Sequence, residues 1–196
     1  MIKESFKRFF VLFILMAHEY LLPFFAILLA ELGDKTQLAV FCLASKTKKY
    51  VQLLIGVMLA FIVADGLAIL FGDFISNYIP LSFIKIGCGV VFIVVGIVFL
   101  LKDKEGETTC ELKTPLGSGF GLVLISEMGD KTQIASAFFA TRYNPWIVFF
   151  SVILALFLIS VLAVFFGKFI MDRVDRRIVS KVSGILFVII GIVCFF

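Results

Sequence analysis

Two short stretches of this chain carry residue types that can do chemistry, and they are copies of each other. Glu31-Leu-Gly-Asp-Lys-Thr-Gln-Leu-Ala39 returns, 96 positions on, as Glu127-Met-Gly-Asp-Lys-Thr-Gln-Ile-Ala135, identical at seven of nine positions. Each copy offers two carboxylates, a hydroxyl and an amide carbonyl, the all-oxygen donor set that hard divalent cations select. The expected metal ligands are therefore Glu31, Asp34, Thr36, Gln37, Glu127, Asp130, Thr132 and Gln133. The carboxylates carry this expectation; Thr and Gln bury equally well by bonding to backbone. Asp follows each Glu at i+3 and Lys at i+4, so helical spacing puts all three on one side and makes Lys35 and Lys131 charge-balancing partners. With each lysine cancelling one carboxylate, one negative charge is left per copy, a net −2 that matches a dication. The competing reading is that the pairs only neutralise each other and pin helices together. It leaves the two extra aspartates unexplained.

The elements that must position these residues are membrane helices. The chain has 196 residues, 62% of them hydrophobic, and a mean hydropathy of +1.14, well above the apolar half typical of a soluble domain. A bilayer crossing takes about 20 mostly apolar residues, and such runs fall at roughly 21–44, 51–72, 79–101, 116–141, 146–170 and 179–196. Tyr20, Tyr50, Tyr78, Tyr143 and Trp146 precede proposed spans, at headgroup level. The motifs lie near the middle of spans one and four, where an ionisable side chain costs several kcal/mol unless paired or wetted, so such residues usually mark a substrate or proton path.

The repeat extends beyond the motif. Phe71-Gly72-Asp73-Phe74-Ile75 matches Phe166-Gly167-Lys168-Phe169-Ile170, and Val95-Gly96-Ile97-Val98 matches Ile190-Gly191-Ile192-Val193. Each half is three spans, and an odd number of crossings inserts the second half upside down relative to the first, the inverted-repeat plan of many secondary transporters. The expected fold is an all-α membrane protein of six transmembrane helices in two inverted three-helix repeats. Repeat 1 takes residues 21–101, a polar cytosolic linker 102–115 and repeat 2 116–196, after an N-terminal segment 1–20. Gly33 and Gly129 are expected to loosen their helices so that backbone carbonyls also turn toward the ion. Gly89 and Gly96, mirrored by Gly184 and Gly191, form a helix-packing face.

A net charge of +4 would suggest a nucleic-acid partner in a soluble protein. Here the basic residues cluster in loops instead: Lys46, Lys48 and Lys49 after span one, Lys102, Lys104 and Lys113 after span three, and Lys168, Arg173, Arg176, Arg177 and Lys181 around the loop after span five. By the positive-inside bias, the loops after helices 1, 3 and 5 are cytosolic. Lys3, Lys7 and Arg8 then lie on the wrong side, so residues 1–20 are expected to be interfacial, to extend toward a seventh span, or to precede a true start at Met16. The lone His18 reads as an interfacial residue. The lack of a targeting extension fits a prokaryotic plasma membrane.

Asp65, late in span two, has Ser160 as its repeat counterpart and is expected either on an access route to the site or at the outer interface. Carboxylates bind protons as well as metal ions, so one site that holds either gives the physical basis of cation/proton antiport. The expected partners are a divalent metal ion, protons and the bilayer, with no nucleic acid and homodimerisation left open. No cofactor is expected, Mn²⁺ or Ca²⁺ being the transported substrate. The alternatives are an exporter of another cationic solute and an intramembrane aspartyl protease. Against the protease stands the lysine beside each aspartate, which would hold ionised an acid that must share a proton.

The doubled Glu-x-Gly-Asp-Lys-Thr, in about 200 residues of this span pattern, resembles the Gdt family, and the likeness covers nearly the whole chain from about residue 20. The resemblance implies a Ca²⁺/Mn²⁺ exchanger coupled to protons, no enzyme, with a role in manganese export or organelle supply; export of the metal from the cytosol is the expected direction. It implies an ion site at Glu31, Asp34, Thr36, Glu127, Asp130 and Thr132, with Lys35 and Lys131 at the motif's basic position. The first fifteen residues have no counterpart in it.

Overall fold

The computed structural model describes residues 19–32, 34–101, 112–171 and 176–195. The N-terminal stretch 1–18, with His18, and most of the linker, 102–111, lie outside the described residues, as does Gly33. Every element described is helical: α1 (19–31), α2 (Lys35–Ser45), α3 (Tyr50–Tyr78), α4 (Leu81–Leu101), α5 (Pro115–Glu127), α6 (Lys131–Arg142), α7 (Pro145–Met171) and α8 (Arg176–Cys194). Apolar solvent leaves little choice, because a helix satisfies its backbone internally. Prolines mark the boundaries. Pro80 follows the end of α3, and Pro115 and Pro145 open α5 and α7, where the missing N–H is harmless. The Asn144 side-chain oxygen accepts from the Trp146 N–H at 3.0 Å at the head of α7.

Two short helices, a long one and a medium one occur in succession, twice. The long helices α3 and α7 are, with Pro145–Phe166 as the apolar part of α7, the two described helices long and apolar enough to cross a membrane alone. Expected spans two, three, five and six correspond to α3, α4, α7 and α8. Spans one and four are not continuous, since each is broken in two at the motif, between α1 and α2 and between α5 and α6.

The halves interlock. α3 of the first half packs on α5 and α6 of the second, α7 of the second packs on α2 of the first, and α4 lies against α8. The α4/α8 crossing is close because glycines face glycines. A Cβ on Gly96 would stand 2.7 Å from the Gly184 carbonyl oxygen, and one on Gly191 would stand 2.9 Å from that of Gly89, so the expected packing face is real. Phe92 of α4, buried between Phe138 of α6 and Phe187 of α8 with ring centroids 5.3 and 5.6 Å away, ties α6 into this crossing. Outside, α3 and α7 present Leu59, Leu67, Leu70, Phe71, Phe150, Leu154, Leu162 and Phe166. Inside, the buried residues include Glu31, Asp65, Glu127 and Lys131. An apolar skin over a charged centre suits a protein whose solvent is lipid.

Candidate cation site

The site is made by the two breaks, and the breaks are alike in detail. Glu31 and Glu127 are the last helical residues of α1 and α5. In the first break the Leu32 N–H donates to the Leu28 carbonyl at 3.1 Å and the Asp34 N–H to the Glu31 carbonyl at 3.0 Å. In the second, Met128 donates to Leu124 and Asp130 to Glu127 at the same distances. Asp34 and Asp130 then stand at the N-caps of α2 and α6 with φ −72° and −79° and ψ 167° in both, yet neither side chain makes a cap hydrogen bond. Their carboxylates serve the space between the halves instead. Gly129 takes φ +80°, the left-handed region that a side chain disfavours, which is why the motif has glycine there.

The glutamines close the breaks. Gln37 donates its amide N–H to the Glu31 carbonyl, and the Gln133 amide oxygen accepts from the Gly129 N–H at 2.9 Å. Gln133 thus spends the carbonyl expected as a metal ligand on backbone that the interrupted helix leaves unpaired.

Glu31 and Glu127, 1% and 0% exposed, face each other across the halves with Asp34 half-buried beside them. One carboxylate oxygen from each of the three lies within 4.8 Å of the others. Oxygen ligands 2.3–2.6 Å from a central Ca²⁺ would span about 5 Å at most, so the spacing fits one divalent ion. Thr132 donates to a Glu127 oxygen at 3.4 Å, a long contact, and Thr36 of the other half lies near that carboxyl. Both threonines are buried, and both thus converge on Glu127.

The lysines depart from expectation. Because each helix breaks between its Glu and its Lys, the i, i+4 pairing cannot form. Lys131 turns away from Glu127 and crosses to the other half: its Nζ lies 3.3 Å from Glu31 Oε1, 3.0 Å from Asp34 Oδ1 and 3.0 Å from Asp130 Oδ2. It is buried, whereas Lys35, its repeat mate, is exposed. The charge balance changes accordingly. Four motif carboxylates face one internal ammonium, a formal −3 where −2 was expected.

Asp65 belongs here too. It is fully buried within the bundle, near the middle of α3. Its Oδ1 accepts from Ser136 Oγ of α6 at 2.9 Å, while Oδ2 has no hydrogen-bond partner among the described residues. Ser136 was missed from sequence. Its signal was available as a departure from the repeat: Asp65 stands where the second half has Ser160, and Ser136 where the first half has Val40. The two polar exceptions meet because α3 packs on α6.

An apolar-skinned helical bundle that brings carboxylates of two repeated halves to one buried point, at the ends of broken helices, is built as a cation transporter. Comparison with known proteins agrees. A family model described as the divalent cation/proton antiporter GDT1 matches residues 19–107 and 115–196. A Vibrio cholerae protein named "Putative manganese exporter" is 30% identical over 168 residues, covering 84% of this chain and 84% of its own length. A GDT1-like protein of Synechocystis is 28% identical over 190 residues, covering 85% of this chain and 91% of its own. A GDT1-like protein of Schizosaccharomyces pombe is 34% identical over 97 residues, about half of this chain. No solved structure matches. The chain belongs to the GDT1 family of divalent cation/proton antiporters, which are integral membrane transporters and not enzymes.

Proposed function

We propose that this protein exports Mn²⁺ from the cytosol in exchange for protons, binding the ion between its halves through Glu31, Asp34 and Glu127. The observation that carries this reading is the convergence of those three carboxylates, two of them buried, from both breaks onto one point. Thr36 and Thr132 orient Glu127, Asp130 adds negative charge at the rim, and Gln37 and Gln133 hold the breaks in shape. Manganese is favoured over calcium by the name of the Vibrio cholerae relative; an all-oxygen site serves either ion.

Exchange follows from shared occupancy. The carboxylates that hold a dication are the ones that protons neutralise when it leaves, so each species lowers the other's affinity. The doubled break supports an inverted-repeat reading, in which α1 with α2, α3 and α4 make three crossings and α5 with α6, α7 and α8 three more in the opposite sense. The basic loops then put the connections after spans one, three and five in the cytosol of a bacterial plasma membrane. Asp65 on α3, hydrogen-bonded to Ser136 of α6, is the candidate station on the path between site and water.

Proteoliposomes loaded with a metal-sensitive dye test the reading. An inside-acid pH gradient should drive Mn²⁺ uptake, and uptake should collapse when the gradient is dissipated. Equal flux without a gradient, or flux driven only by Na⁺, would reject proton coupling; flux of Ca²⁺ alone would reject the manganese assignment.

A further inference from the structure

Lys131 stands where a bound ion would compete for the same ligands. Its ammonium is held by Glu31 and Asp34, two of the three carboxylates whose oxygens could share a metal ion, and by Asp130. The contact to Glu31 Oε1 is in ion-pair range but is not a hydrogen bond, and Glu127 Oε1 is buried with no hydrogen-bond partner. The ammonium therefore fills one side of the cage, and the carboxylate on the other side is left unbonded at that atom. A dication held by Glu31 and Asp34 would lie beside this ammonium in a poorly screened interior, where like charges repel strongly. The two cations exclude each other.

The repeat adds a second half to the argument. The breaks match in their hydrogen bonds and in the backbone of Asp34 and Asp130, but the lysines that follow them do not: one is buried in the cage and the other is exposed. Near-identical sequences in unlike environments are what a protein with two exchanged arrangements shows when caught in one of them. In the other arrangement Lys35 would enter the cage from its own side and Lys131 would leave.

We infer that the two motif lysines alternate as a tethered stand-in for the substrate: Lys131 offsets part of the cage's negative charge in the arrangement described, Lys35 does so in the opposite one, and the metal ion displaces whichever is in place. This inference rests on the carboxylate cage proposed above. It makes Lys131 a positioning residue that lowers affinity and speeds release by offsetting part of the cage's charge once the ion has left.

The test is Mn²⁺ binding by the purified full chain, together with transport kinetics in proteoliposomes, for wild type and Lys131→Met. Removal of the competing cation should tighten Mn²⁺ binding by at least about tenfold, and should lower KM and maximal flux together because release slows. Binding unchanged or weakened in a folded Lys131→Met overturns the inference. Should that variant not fold, the wild-type chain decides: an amine-acylating reagent, read by mass spectrometry, should modify Lys35 readily and Lys131 slowly without metal, and Lys131 faster with saturating Mn²⁺. No metal-dependent change at Lys131 overturns the inference equally. Wild type that binds neither Mn²⁺ nor Ca²⁺ would instead sink the cage itself, a distinguishable failure.

Discussion

Ser136→Ala should destabilise the protein by an amount that depends on Asp65. Ser136 Oγ gives Asp65 a hydrogen bond at 2.9 Å, and the second Asp65 oxygen has no partner among the described residues. Truncation to Ala leaves a fully buried carboxyl without that bond. A buried polar group stripped of its partner costs about 1–3 kcal/mol, while side-chain hydrogen bonds between membrane helices average about 0.6 and reach about 1.7 kcal/mol. The expected loss is thus about 1–2 kcal/mol. The bond joins α3 of the first half to α6 of the second, so the loss should appear in global unfolding. At about 2–4 °C per kcal/mol for a chain of this size, the melting temperature in detergent should fall by about 2–8 °C. A double-mutant cycle makes the claim specific: in an Asp65→Ala background nothing remains to be satisfied, and Ser136→Ala should then cost almost nothing. If the serine substitution costs the same in both backgrounds, to within about 0.5 kcal/mol, the two residues are not coupled and the reasoning fails.

Four other substitutions follow from the same geometry. Gly129→Ala forces a side chain onto a φ of +80° and should cost about 1–2 kcal/mol in thermal unfolding; an unchanged melting temperature would mean that the break relaxes freely. Gly96→Val drives methyls into the Gly184 carbonyl and should cost about 1–3 kcal/mol or more, with the matching Gly191→Val behaving alike. Gln133→Ala should lower stability by about 1 kcal/mol, having removed the acceptor for the Gly129 N–H. It should leave one Mn²⁺ bound per chain by equilibrium dialysis, whereas loss of that ion would return Gln133 to the ligand set.

The doubled motif made the site legible in sequence, because identical acids in two halves of an apolar chain have few structural uses. The glycines at 33 and 129 pointed to loosened helices at those places. Helical spacing nevertheless misplaced the lysines, since an i, i+4 rule holds only along an unbroken helix and the break falls inside the interval. Nor could the sequence reveal that Lys131 crosses to Glu31 and Asp34 while Lys35 stays outside. Two copies of one motif predict one environment, and only packing breaks the tie. Asp65 was ambiguous for a related reason: hydropathy placed it near the end of the expected span 51–72, but α3 runs on to Tyr78, so the carboxylate lies deep within it. Gln133 illustrates competition of another kind, in which unpaired backbone at a helix break claimed a side-chain oxygen that a metal could also use.

The central claim is that Glu31, Asp34 and Glu127 hold one divalent ion between the two halves. The most direct measurement is the Mn²⁺ stoichiometry of the purified full chain by equilibrium dialysis, with folding checked by size-exclusion chromatography, for wild type, Glu31→Gln, Asp34→Asn and Glu127→Gln, with Asp73→Asn as a control far from the motif in sequence. One ion per chain in wild type and in the control, lost or weakened at least about a hundredfold by each of the three substitutions, is the predicted result. Full binding retained by folded Glu31→Gln and Glu127→Gln would contradict it and leave these buried acids with a structural role alone.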